Sequence, residues 1–266
     1  MRLTKHHGLG NDFLVVADSS GTHPVSADLA RAACDRNRGV GADGFLHLGP
    51  GRGGLDVTMV LLNADGSRAE MSGNGIGCLA QAAVLAGLAS PPVVRISTDA
   101  GPRTVELRGS EAPRTHAATV EMGGATVGDD EPEWSSGDVL RAVRVSVGNP
   151  HLVLQAADPD LVADREWIAE LGRQANEAIP GGINVEVVSP SDDGLTMDVY
   201  ERGVGLTLAC GTGAVAAAVA AHGWGLVGEQ VAVAMPGGVT AIDLSGPEVR
   251  MTTPITYIGS IDYPWP

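Results

Sequence analysis

The chain has 266 residues, 44% of them hydrophobic, and a net charge of −15 from 17 basic against 32 acidic side chains. That negative excess repels phosphate backbones and no Lys/Arg cluster offers a local exception, so nucleic acid is not an expected partner. No apolar run reaches the roughly 18 residues of a bilayer span, and Met1-Arg2 leads into mixed polar sequence, so a soluble cytoplasmic protein with no membrane partner is expected. Cys34, Cys78 and Cys210 lack both zinc-ligand spacing and the dense even count of a disulfide scaffold.

Taken in order, FLVVAD, LDVTMVLL, VVRIST and TVELRG read as short β-strands in the first half, and RVSVGNPHLVLQ, NVEVVSP, LTMDVYE and VAVAM in the second. Ser26 caps a predicted peripheral helix over residues 27–36, and Asp158-Pro159 opens another reaching residue 177. Residues 79–88 and 214–222 differ, being almost wholly apolar and small-sided, as expected of helices enclosed on every side. Residues 111–138 are the most loop-like stretch and suit a domain junction, placed near Ala117.

The two enclosed helices expose an internal repeat. Ser72-Gly-Asn-Gly precedes the first and Cys210-Gly-Thr-Gly the second, 138 residues apart. A thiol beside a helix N-terminus feels the positive end of the macrodipole, which lowers its pKa toward the working pH and makes Cys210 a candidate base. The N–H groups at Gly73-Asn74 and Gly211-Thr212 can hold a carboxylate, or the enolate-like oxygens formed when its α-carbon is deprotonated. One proton-transfer residue from each half would flank that carbon from opposite faces, which is racemisation without a cofactor.

HGLGNDF, NADGSRAEMSGNGI, GNPH, PGGINV and ERGVGLTLACGTGA occur in this order along nearly the whole chain, and together they resemble the successive signatures of the diaminopimelate epimerase family. The resemblance implies an α/β (α+β) fold of two pseudo-symmetric halves, each a curved, mostly antiparallel sheet around a central helix, with the active site between them. Residues 1–117, rejoined by 253–266, would form one half and 118–252 the other. It further implies a PLP-independent isomerase interconverting L,L- and meso-diaminopimelate for lysine and peptidoglycan-precursor synthesis, with no cofactor and no metal. The expected partner is a small-molecule amino acid, and whether the chain forms a homodimer stays open. Another amino acid as substrate, or a binding pseudoenzyme, are the alternatives.

By motif match, Cys210 and Ser72 occupy the catalytic positions, and the second of these departs from the family, whose residue there is cysteine. A hydroxyl is a far poorer proton acceptor than a thiol. Three accounts stay open: an introduced Cys→Ser change, a natural variant using one base and water, or altered chemistry such as elimination. Gly77 and Leu206 also replace the family's usual arginine and glutamate. Asn11, Asn63, Asn149, Asn184, Glu201 and Arg202 match the family's substrate readers, Arg202 suiting a bidentate carboxylate grip and Glu201 an ammonium. His151 is expected to line the site or orient a neighbour. Cys78 is expected in the core, and His6, His23, His47, His116 and His222 in structural or exposed places.

Overall fold

In a computed structural model of the chain, residues 1–21 and 25–265 are described; His23 lies outside them. Two compact units emerge, Met1–Glu121 with Thr252–Pro266, and Met122–Met251.

The first unit carries β1 (Arg2–Gly8), β2 (Asn11–Ala17), α1 (Ala27–Cys34), β3 (Gly44–Pro50), β4 (Val57–Asn63), the two-residue β5 (Arg68–Ala69), α2 (Gly73–Leu85), β6 (Val93–Thr98), β7 (Gly101–Gly109) and most of β8 (Thr115–Gly123). Antiparallel pairs β1–β2, β3–β4, β6–β7 and β7–β8 alternate with parallel pairs β2–β3 and β4–β6. The last strand of the chain, β17 (Val249–Asp262), pairs with β8 and, antiparallel, with β1, so eight strands close into a barrel. Its interior is occupied by α2, which lies against β1, β2, β3, β4 and β7 and is buried without interruption from Gly73 to Ala83. β2 is covered by α2 on one face while Leu14 and Val16 pack with Leu29, Ala30 and Ala33 of α1 on the other. Burial on both faces explains its unbroken apolar run.

The second unit repeats the order. β9 (Thr126–Asp130), β10 (Val139–Ser146), β11 (Pro150–Ala156), α3 (Arg165–Ala178), β12 (Asn184–Ser191), β13 (Gly194–Glu201), the short β14 (Gly205–Leu206), α4 (Gly211–Gly223), β15 (Gln230–Met235) and β16 (Gly238–Asp243) follow in sequence. β10–β11, β12–β13 and β15–β16 are antiparallel, β11–β12 and β13–β15 parallel. α4 packs on β10, β11, β12, β13, β15 and β16, and the polar helix α3 covers β12 and β13 from the opposite side.

Several expected elements differ in detail. The run RVSVGNPHLVLQ is two strands, because Gly148 turns at φ +83° and Val147 N–H reaches Asn149 O. The helix expected from residue 158 is a short 3₁₀ turn, Pro159–Ala163, followed by α3, which Asp164 caps separately. Residues 111–138 contain β8 and β9, so half of the stretch read as loop is strand. α2 and α4 begin at Gly73 and Gly211, six and three residues earlier than the apolar runs, since the Gly-x-Gly segments form their first turns. The 14-residue β17 is missing from the expected set altogether.

Gly172 of α3 faces the ring of Tyr200, where an added Cβ would overlap the aromatic carbons. Alanine normally gains about 1 kcal/mol over glycine inside a helix, yet the rigid ring cannot yield cheaply. Gly172→Ala is therefore expected to lower stability, by about 1–3 kcal/mol as overpacking does, measured as a reduced urea midpoint at unchanged m-value.

Candidate active site

A helix that starts inside a sheet has no water for its first N–H groups, so a side chain must accept from them. Cys210 does this for α4: it is extended (φ −128°, ψ 115°), and its Sγ accepts from Gly213 N–H at 3.3 Å. Thr212 Oγ1 lies 3.6 Å from the same sulfur. The N–H groups of Gly211 and Thr212, one turn too early for intrahelical bonds, remain for a ligand.

The helix terminus does not lower the thiol as expected. Burial pushes Cys210 well above the ordinary thiol range, the Glu201 and Glu186 carboxylates push the same way, and the bonds from Thr212 and Gly213 only partly oppose them. A helix end is worth roughly 0.3–1 kcal/mol, whereas full burial shifts a group by up to about 3–5 pKa units, so desolvation wins. These surroundings favour the protonated thiol of Cys210 at neutral pH.

Asn149 and His151, from the GNPH motif, converge on this slot. Asn149 Nδ2 donates to Thr212 Oγ1 at 3.3 Å, and its Oδ1 faces His151 Nε2 at 3.0 Å. The other ring nitrogen, Nδ1, lies 2.7 Å from Glu186 Oε1, and both side chains of that pair are fully buried. Gly213 makes the approach feasible, since a Cβ there would sit 2.6 Å from Glu186 Oε1 and 3.2 Å from Cys210 Sγ. Sequence reading missed Glu186. Its signal was an acid within the buried run NVEVV, at a position flanked by core residues on both sides.

The remaining expected residues of this unit form a second cluster. Asn184 donates to Pro150 O at 3.0 Å and accepts Arg202 N–H at 2.9 Å. The exposed Arg202 guanidinium rests on Gly181 O at 3.4 Å, so PGGIN and ERG meet. Glu201 Oε1 accepts from Thr207 Oγ1 at 2.6 Å, and Leu206 pairs in β14 with Tyr200.

In the first unit, Ser72 caps α2 in the same way, its Oγ accepting from Gly75 N–H at 3.0 Å. Gly73 and Asn74 form the first turn, and Asn74 Nδ2 donates to Asn11 Oδ1 at 3.5 Å. Asn11 Nδ2 donates to Asp43 Oδ2 at 2.9 Å, and Arg36 bridges Asp43 to Asp12 with 2.7 Å contacts to each. Asn63 lies apart, exposed at the β4–β5 turn and bonded to Ser67 Oγ at 3.0 Å. Gly77 is packed against Ile255 and Ala118, leaving little room for the arginine usual there. Cys78 is buried in α2 and its thiol is raised by burial. Among the described residues no three His, Cys, Asp or Glu side chains gather as a metal set, and no helix is long and apolar enough to cross a membrane.

The family model for diaminopimelate epimerase matches residues 3–128 and 143–258 of the chain. A diaminopimelate epimerase of Synechocystis sp. is 37% identical over 266 residues, 94% of each chain, and one from Pelotomaculum thermopropionicum is 37% identical over 286 residues, covering 100% of this chain and 99% of its own. Among solved structures, a Bacillus anthracis phenazine biosynthesis protein of the PhzF family superposes with TM-score 0.74 at 14% identity over 98% of both chains. A hydroxyproline epimerase from Agrobacterium vitis, with trans-4-hydroxy-L-proline bound, gives 0.69 at 17% identity, covering 98% of this chain and 90% of its own. These two likenesses establish the fold.

Because a raised pKa keeps the thiol protonated until well above pH 9, iodoacetamide should modify Cys210 slowly at pH 7 and progressively faster at alkaline pH. Relative to the urea-unfolded chain, a reduction of at least about tenfold is expected at pH 7, the factor one pKa unit represents. Peptide mass mapping separates Cys210 from Cys34 and Cys78; equal rates folded and unfolded would show an ordinary thiol.

Proposed function

Because the chain belongs to the diaminopimelate epimerase family, we propose that it is an isomerase inverting one α-carbon of diaminopimelate without a coenzyme, in the cytoplasm, for lysine and peptidoglycan-precursor synthesis. The observation that carries the reading is Cys210 at the enclosed N-terminus of α4, with Gly213 N–H donating to its sulfur, Thr212 Oγ1 in hydrogen-bond contact with it, and the N–H groups of the helix's first turn beside it. Those N–H groups bind the substrate α-carboxylate and stabilise the enolate-like charge that develops as the α-proton leaves. Substrate binding displaces water and brings an ammonium-bearing carbon to the thiol, and the two carboxylates near the sulfur, Glu186 and Glu201, are the local negative charges that such a cation meets.

Arg202, Glu201 and Asn184 read the distal amino-acid group: the guanidinium grips its carboxylate, Glu201 accepts from its ammonium, and Asn184 holds the backbone of the turn on which Arg202 stands. Ser72 takes the second catalytic position. Its oxygen already accepts from Gly75 N–H, so its own hydrogen is the one available for return to a carbanion, while as an acceptor it is weak. The chain thus works with Cys210 as base, after the arriving ammonium offsets the nearby carboxylates and the thiol has released its proton to water, and with Ser72 as hydroxyl donor, acting on a small-molecule amino acid.

Proton NMR in deuterium oxide, with L,L- and meso-diaminopimelate supplied separately, checks this. Exchange is expected from the stereoisomer that presents its α-hydrogen to Cys210, faster than inversion, and absent in Cys210→Ala. No exchange from either isomer would defeat the reading. Ser72→Cys should raise epimerisation by roughly 10²–10⁴-fold, the usual contribution of a placed acid–base group. Arg202→Lys should raise KM while leaving kcat near its parental value, because a point charge cannot reproduce a bidentate fork.

A further inference from the structure

Asn176 stands in the last turn of α3. Asparagine is a weak helix former because its amide competes for backbone groups, and here the amide is given over to backbone entirely. Nδ2 donates to Gly172 O at 2.8 Å and to Ile183 O at 2.9 Å, while Oδ1 accepts from Ile183 N–H at 3.1 Å. Both amide hydrogens and the oxygen are thereby engaged. One bond stays within the helix; the other two hold both backbone polar groups of a residue seven positions on.

Between the helix and that clasp run Pro180, Gly181 and Gly182. Both glycines are left-handed, with φ +86° and +71°, and Gly182 N–H returns to Ile179 O at 3.0 Å. A Cβ on Gly182 would stand 2.5 Å from Asn176 Oδ1 and 3.0 Å from Arg202 Cγ, so the amide and the arginine stem close on the same backbone atom. The guanidinium rests on Gly181 O, and Asn184 Oδ1 accepts Arg202 N–H. Arg202 is thus supported at backbone, stem and head by residues 181–184, and the residue fixed by Asn176 lies inside that stretch.

The first unit ties its matching loop, between α1 and β3, by charge. Arg36 bridges Asp12 and Asp43 there, and Asp43 O receives Ala64 N–H. In the second unit a neutral amide does the tying, next to an exposed arginine. An acidic anchor at this place would draw the guanidinium to itself, whereas an amide holds the turn and leaves the charge for an incoming carboxylate.

We propose that Asn176 is the positioning residue of Arg202: by fixing residues 181–183 it sets the affinity of the distal carboxylate grip, acting through the turn rather than on substrate. The consequence for substrate rests on the epimerase reading above, but the support itself is testable without substrate. A residue that only finished the helix would cost stability and nothing else.

Amide hydrogen exchange, followed by NMR, is compared in the parent and in Asn176→Leu, which has a similar volume and makes none of the three bonds. Ile183 N–H loses its acceptor directly, so the informative amide is that of Arg202, whose own acceptor on Asn184 is retained. Exchange at Arg202 roughly tenfold faster or more, with the enclosed amides of α4 unchanged, is expected; parental protection at Arg202 would overturn the proposal. In steady-state kinetics KM for diaminopimelate should rise roughly tenfold, the order of one hydrogen bond to a charged group, with kcat near its parental value. Asn176→Leu should also add nothing once Arg202 is replaced by leucine. Equal falls in kcat and kcat/KM, or the same increment with and without Arg202, would overturn the proposal in favour of a folding role. Should Asn176→Leu not fold, Asn176→Asp keeps the acceptor for Ile183 N–H but sets a carboxylate beside the guanidinium, and the same rise in KM alone is required of it. A parent that turns over neither isomer would defeat the epimerase reading, and exchange at Arg202 would then decide the role of Asn176 by itself.

Discussion

An α-helix that begins inside a closed sheet has N–H groups that neither water nor its own backbone can satisfy, and the rest of this structure follows from how they are met. The residue before each enclosed helix must be extended and must carry a short side chain that accepts, which serine and cysteine both do. One N–H per helix is consumed by the cap and two are left pointing at whatever occupies the space before it. The requirement that makes the fold possible therefore also builds an anion-binding position next to a nucleophilic atom.

Small side chains are the second half of that constraint. α2 and α4 can be surrounded on all sides only because Gly and Ala let strands approach closely. Gly75 and Gly213 are equivalent in the two helices, yet they admit different neighbours, Phe13 in one and the Glu186 carboxylate in the other. Two copies of one backbone design thus offer different chemistry. The first sets an aromatic ring beside the opening turn that Ser72 caps, and the second sets the Glu186 carboxylate beside the opening turn that Cys210 caps.

The competition of forces at Cys210 shows why a motif alone misleads about reactivity. A helix terminus and two hydrogen bonds favour the thiolate, while loss of water and two carboxylates oppose it, and the second set is larger. A thiol held protonated by burial and two carboxylates is suited to a reaction in which a positively charged amino acid arrives as part of the chemistry, because the arriving ammonium changes the balance that those groups set.

Membership, the repeat, the two enclosed helices and most strands were legible in the sequence, because each depends on local pattern: apolar periodicity, Gly-x-Gly turns, and short polar residues before small-residue runs. Elements defined by pairing were harder. β8 and β17 do alternate, with Ala118, Val120 and Met122 buried in one and Val249, Met251 and Ile255 in the other, but they were not read as strands, whereas β9 is exposed along its length and is a strand because β10 supplies a partner, which is a property of the tertiary structure. Cys210, Thr212, Asn149 and His151 were named from sequence as separate residues, but that they lie in one hydrogen-bonded cluster with Glu186 required the parallel pairing of β11 with β12, which brings that carboxylate from 35 residues away to the ring nitrogen Nδ1. Burial likewise reversed the thiol's expected shift. Sequence determines which side chains can accept, donate or fold locally; which of them are taken out of water together is decided by long-range packing, and the cost of desolvation there sets the chemistry.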